Sequence, residues 1–136
     1  MYGKSGQEAK EFVQKAIDFY KQAGKSVSFA AISNPKGPYV QGEMYVFVLN
    51  LTGTMLANGT NERFIGLDFK DVKDSDGRGF VREILEVANK KGSGFVDYKW
   101  YDPTTKEELS KHLYFEKVDD LIFCSGIYKE MYTDLL

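Results

Sequence analysis

Gly94-Phe-Val-Asp-Tyr-Lys-Trp-Tyr-Asp-Pro103, then Lys111-His-Leu-Tyr-Phe-Glu-Lys117, then Cys124-Ser-Gly-Ile-Tyr128 are the runs that decide how this chain folds. Each is rich in Val, Ile, Phe, Tyr or Trp, and turn residues separate them, the pattern of β-strands. Strands are predicted at 94–101, 108–118 and 121–131, joined by turns at Pro103-Thr-Thr-Lys106 and Asp119-Asp120, so the chain ends in a three-stranded meander. Successive side chains point to opposite sheet faces. Val96, Tyr98 and Trp100 therefore share one face, and Lys111, Leu113 and Phe115 share one face of the next strand. If those faces coincide, a lysine lies among aromatic rings.

Upstream, Phe12, Val13, Ala16, Ile17, Phe19, Tyr20 and Ala23 recur at helical spacing, which predicts a long amphipathic helix. Gly24 is a stop signal, and Ser26 to Ile32 continues as a further turn or short helix before Ser33-Asn-Pro-Lys-Gly-Pro38, giving a helical region over about 6–32. Met44 to Leu51 reads as a strand buried on both faces, turning at Thr52-Gly53 into a second strand, 54–57. A polar loop and a bend at Gly66 follow. A second helix is predicted from Arg78 to Lys91, with Lys90, Lys91 and Gly92 as its end. The expected fold is α+β and PAS-like in its core, about 39–131: a five-stranded antiparallel sheet, the long helix on one face, helices and loops covering a pocket on the other.

A chain of 136 residues buries about 68–70% of its unfolded surface, enough for one core without cross-links. Its net charge of -2, with Lys and Glu interspersed, excludes the concentrated basic face that nucleic acid requires. Cys124 is the only cysteine, so there is no internal disulfide. No apolar run is long enough to span a bilayer, and the first residues lack the apolar core of a signal peptide. The sequons at Asn50 and Asn58 read as chance occurrences.

Three motifs invite chemistry and fall short of it. Asp74, Asp76, Gly77 and Glu83 sit at EF-hand positions, but the first ligand position would be Val72, so the run reads as a solvated loop whose Asp74 or Asp76 caps the second helix. No metal and no cofactor is expected. Gly92-Ser-Gly94 lies between helix and strand, the reverse of a phosphate loop. His112, the single histidine, has no serine or cysteine at a catalytic spacing, and Cys124 sits in an apolar run. Lys111 beside Tyr98 and Trp100 remains, with two readings. Either a buried ammonium awaits an anion, or the lysine reaches solvent from a strand end over ordinary core aromatics.

The succession Tyr45-Val-Phe-Val-Leu-Asn50, Gly53-Thr-Met-Leu-Ala57, Ile65-Gly66, Lys73-Asp-Ser-Asp-Gly77, Lys91 to Trp100, Lys111 to Tyr114 and Ser125-Gly-Ile-Tyr128 resembles the single Cache domain, type 2, across nearly all of residues 1–136. The resemblance implies a PAS-like extracytoplasmic (periplasmic) sensor that binds a small metabolite, often a short carboxylate such as pyruvate, acetate or propionate, and performs no catalysis. By position, Lys111 matches the family's lysine, and Tyr98 and Trp100 match its aromatic pair. Asn58-Gly59 stands where the family often has His-Pro, and Leu113 where it has a small polar residue.

On this reading Lys111 pairs with the ligand's charge, Tyr98 with His112 or Asn58 supplies hydrogen bonds, Trp100 and Phe64 form walls, and Leu113, like Asn58, alters the pocket mouth or its hydrogen bonding. The resemblance also implies a homodimer through the first helix and flanking membrane helices with an output domain, so an excised sensor is favoured over a free-standing one. The alternative is a PAS-like interaction or dimerisation module with a filled core that senses nothing.

Overall fold

The computed structural model describes residues 5–129. The predicted end of the last strand at Met131, and both chain ends, lie outside that range. The first helix, α1 (Gly6–Ile32), opens on a capping box: the Ser5 hydroxyl accepts from the Glu8 N–H at 3.3 Å, and the Glu8 carboxylate accepts from the Ser5 N–H at 3.0 Å. Gly24 interrupts it with φ 84° and ψ 175°, a conformation open to glycine because it has no Cβ. The helical stripe therefore changes direction there, as the stop signal predicts, and a second helical stretch runs on to Ile32.

Among the described residues there are six strands: β1 (Val40–Gln41), β2 (Met44–Asn50), β3 (Met55–Asn58), β4 (Ser93–Tyr101), β5 (Glu108–Val118) and β6 (Leu121–Tyr128). They fill five positions in one antiparallel sheet, with β4, β5, β6 and β2 side by side and both β1 and β3 on the far edge of β2. Val46 shows the sharing directly, its N–H donating to Tyr39 and its carbonyl accepting from Gly59. The two residues of β1 are too few to leave an alternating pattern, so only five strands are legible in the sequence.

On one face Phe12, Val13, Ala16 and Ile17 of α1 pack on Val46, Val48, Phe123 and Ile127. Burying each large side chain stabilises the fold by about 1.5–3 kcal/mol. On the other face α2 (Phe80–Lys91) covers β4 and β5 through Val81, Ile84 and Ala88, which pack with Val96, Leu113 and Phe115. The rest of that face is closed by the β3–α2 connection, which contributes Phe64, from a 3-10 turn at Glu62–Phe64, and Phe69.

The second helix corrects the expected cap. It begins at Phe80 behind Gly79, with no side-chain cap. Asp74 instead folds its own loop: Oδ1 accepts from the N–H groups of Asp76 and Arg78, and Oδ2 accepts from the Lys99 N–H at 3.0 Å. The carboxylate is thus committed to strapping the loop across the free edge of β4. The C-terminal end follows expectation, with Gly92 in the left-handed region at φ 87°.

Candidate ligand site

Strand register brings the polar groups together. Lys111 lies opposite Tyr98 in β4 and opposite Tyr128 in β6, so two tyrosines flank it on neighbouring strands, and Tyr45 reaches it from β2. The side chain is 0% exposed. Its Nζ donates to the Tyr45 hydroxyl at 3.2 Å and lies 4.2 Å from that ring's centroid, with the Tyr128 and Phe47 rings at 5.3 and 5.6 Å. Among the described residues Lys111 is in no ion pair. An ammonium has three N–H donors, and here one is used. Aromatic faces offset part of the lost hydration, but a buried charge without a counter-ion still costs several kcal/mol.

Gly126 makes space for the lysine stem. A Cβ at that position would stand 3.0 Å from Lys111 Cε and 2.7 Å from the His112 carbonyl oxygen.

Next to the lysine is a cavity walled by Tyr45, Phe47, Leu49, Met55, Asn58, Phe64, Phe69, Phe80, Val81, Tyr98 and Trp100. The space open to the centre of a water molecule is ≈ 20 Å³, about what one water needs. Tyr98 lies flat on Phe80, centroids 3.8 Å apart and planes at 5°, and Trp100 meets Phe80 edge-on at 5.4 Å. Tyr98 is 5% exposed, and its hydroxyl has no hydrogen-bond partner among the described residues. Burial, then the neighbouring Tyr45 and Cys124, push its phenol well above the ordinary range, so it stays a donor. Asn58 holds the adjoining turn through Oδ1, which accepts from Thr60 N–H, the Thr60 hydroxyl and Asn61 N–H. Its amide hydrogens face the Met55 sulfur at 3.8 Å, a weak contact.

Tyr45, Tyr98 and Asn58 thus present hydroxyl and amide groups to the cavity, beside an under-paired ammonium, and no carboxylate stands in the wall. That polarity suits an anion. Cys124 is fully buried, and burial raises its thiol well above the ordinary range against the pull of Lys111, which favours the neutral thiol over the thiolate.

Five of the seven residues singled out from sequence meet here: Tyr98, Trp100, Asn58 and Phe64 in the wall and Lys111 against it. Leu113 shares their sheet face but is fully buried in the core beneath α2, outside the wall. His112 is a correction. As the neighbour of Lys111 in a strand it must face the other way, and it sits on the α1 side, stacked on Phe95 at 4.6 Å with Nδ1 2.5 Å from Asp97 Oδ1. Asp97 also accepts from Lys129 Nζ at 2.9 Å. Sequence reading missed Tyr45, Tyr128 and Gly126. Alternation carried forward from Tyr45 to Phe47 and Leu49, and back from Tyr128 to Gly126 and Cys124, would have put all three on the lysine's face.

The family model of Single Cache domain 2 matches residues 3–135. The methyl-accepting chemotaxis protein McpP of Pseudomonas putida is 27% identical over 86 residues, covering 62% of this chain and 16% of that receptor's length. Among solved structures, a Cache chemosensory domain described for its carboxylic acid recognition superposes with TM-score 0.79 at 25% identity, covering 90% of this chain and 92% of that one. A methyl-accepting chemotaxis protein from Vibrio parahaemolyticus does so at 0.79 and 20% identity, covering 90% and 86%.

Proposed function

The chain belongs to the Single Cache domain 2 family, and from that premise we propose that it is a ligand-binding sensor domain whose ligand is a short organic acid. The observation that carries this reading is Lys111: a fully buried ammonium with one hydrogen bond, to Tyr45, and no counter-charge among the described residues. A carboxylate meeting Lys111, with the Tyr98 hydroxyl and Asn58 amide as further donors, supplies the missing charge and pairs two groups that now lack good partners. The likeness to a Cache domain that recognises carboxylic acids supports the same class.

The work of the site is binding. Membership of the family supports a domain that works outside the cytoplasmic membrane, and the reading extends to an output domain served through α1, as dimer contact and as the element that passes on a shift of the sheet. Among the described residues no helix is long and apolar enough to cross a membrane.

The test is thermal unfolding of the protein with a panel of short acids. A ligand selective for the folded state at a hundred times its Kd stabilises by about 2.7 kcal/mol. At least one acid raises Tm in a saturable way, and Lys111→Met removes the shift. The narrowness of the cavity favours a second reading, an interaction module with a filled core. No acid in the panel shifting Tm, with self-association seen instead, would establish that one.

A further inference from the structure

A second, larger chamber adjoins the first. It is lined in part by Thr60, Tyr101 and Lys106, and the space open to the centre of a water molecule is ≈ 350 Å³, against ≈ 20 Å³ inside. The two chambers share three side chains: Tyr45, Phe64 and Trp100. The inner one holds about one water, too little for any organic acid without movement, whereas the outer one is of ligand size.

The three shared side chains are not held equally. Tyr45 is 3% exposed and hydrogen-bonded to Lys111. Phe64 and Trp100 are only half-buried. Phe64 rides on a three-residue turn beside the exposed Ile65 and Leu67. Trp100 stands near the end of β4 and meets Phe80 and Tyr98 edge-on, outside their stack.

We propose that Trp100 and Phe64 set the chain length of the ligand, acting as a displaceable partition between the inner cavity beside Lys111 and the outer chamber. The inference rests on the carboxylate reading of Lys111 and adds to it. An acid whose carboxylate is on Lys111 extends its alkyl chain towards this partition, so in the native protein length is penalised where the chain meets the indole and the phenyl ring. Removing either ring joins the chambers. The longer chain then leaves water for an apolar-walled space, and each methylene so transferred is worth about fourfold in affinity.

Calorimetric titration of unbranched monocarboxylic acids of two to six carbons into the native protein, Trp100→Ala, Trp100→Leu and Phe64→Ala tests this. The readout is the ratio of affinity for the six-carbon acid to that for the two-carbon acid. Expected is a ratio below one in the native protein, rising by about tenfold or more in Trp100→Ala and Phe64→Ala, as two or more methylenes gain a place. Trp100→Leu, which keeps an apolar side chain at the site, gives an intermediate ratio and serves if the alanine variant does not fold. An unchanged ratio in Trp100→Leu and Phe64→Ala overturns the partition and leaves the carboxylate reading standing, as does a native protein that already takes the six-carbon acid as tightly as the two-carbon one. A native protein that binds none of the acids overturns the carboxylate reading, and the partition with it.

Discussion

Tyr45 holds Lys111 twice over, its hydroxyl 3.2 Å from the ammonium and its ring centroid 4.2 Å away. One side chain thus supplies the cation with both its acceptor and its closest π-face.

That pairing leaves the lysine under-satisfied, so Lys111→Met is predicted to stabilise the protein without ligand by about 1–2 kcal/mol, since an apolar chain of similar length removes an uncompensated buried charge. Urea unfolding monitored by circular dichroism measures it. A variant clearly less stable than the native protein would mean that the ammonium is well compensated, and that the case for an absent counter-ion fails.

Tyr98→Phe separates function from stability. The hydroxyl has no partner to lose among the described residues, so the unfolding midpoint is expected to stay within about 0.5 kcal/mol of native, while acid binding weakens by about tenfold, the worth of one hydrogen bond to a charged group. Equal affinity in the two proteins would remove Tyr98 from the binding groups.

Gly126→Ala is predicted to destabilise by about 1–3 kcal/mol, because the new methyl group is forced against the β5 backbone as well as the Lys111 stem. The stem alone would bend aside, but the His112 carbonyl oxygen at 2.7 Å belongs to the sheet ladder and does not. Native stability in the variant would show that β5 and β6 have slack at this point.

On the opposite face, Asp97 gives an acid limit. Burial raises its carboxyl, but the hydrogen bonds and charges of His112 and Lys129 outweigh that and hold it below the usual carboxylate range. A group with a depressed folded pKa contributes stability above its unfolded value, about 3.9, and loses the contribution as pH falls through the folded value. Stability is therefore expected to decline as pH drops below about 5, and Asp97→Asn to flatten part of that decline. The carboxylate is 49% exposed, so solvent screening keeps the effect small. Identical pH profiles for the two proteins would show that the cluster with His112 and Lys129 contributes nothing measurable.

Much of this arrangement is legible in the sequence because it is local. Alternation alone put Val96, Tyr98 and Trp100 on one face and Lys111, Leu113 and Phe115 on another, and the turn residues bounded β5 at Glu108 and Val118 as found. Gly24 and Gly92 marked the interruption and the end of helices for a local reason too, since the positive φ each adopts is open to glycine and strained for other residues. The same rule of alternation, applied to His112, would have excluded it from the site: a residue next to Lys111 in a strand cannot share its face.

What the tertiary structure decided is everything that depends on distance between segments remote in sequence. Whether Lys111 reached solvent or stayed among rings was open on spacing, since a lysine stem is long enough for either. The closeness of Tyr45, 66 positions away, and the missing side chain at Gly126 settle it as buried. Asp74 likewise reads as a helix cap in sequence, because its spacing before the apolar stripe fits one, yet the Lys99 N–H on the edge of β4 claims its second oxygen. Sequence determined the long elements, their faces and the family, but not the two-residue β1. Packing determined which faces meet, how little room they leave, and that among the described residues the charge set between the aromatic rings has a phenol for a partner and no ion pair.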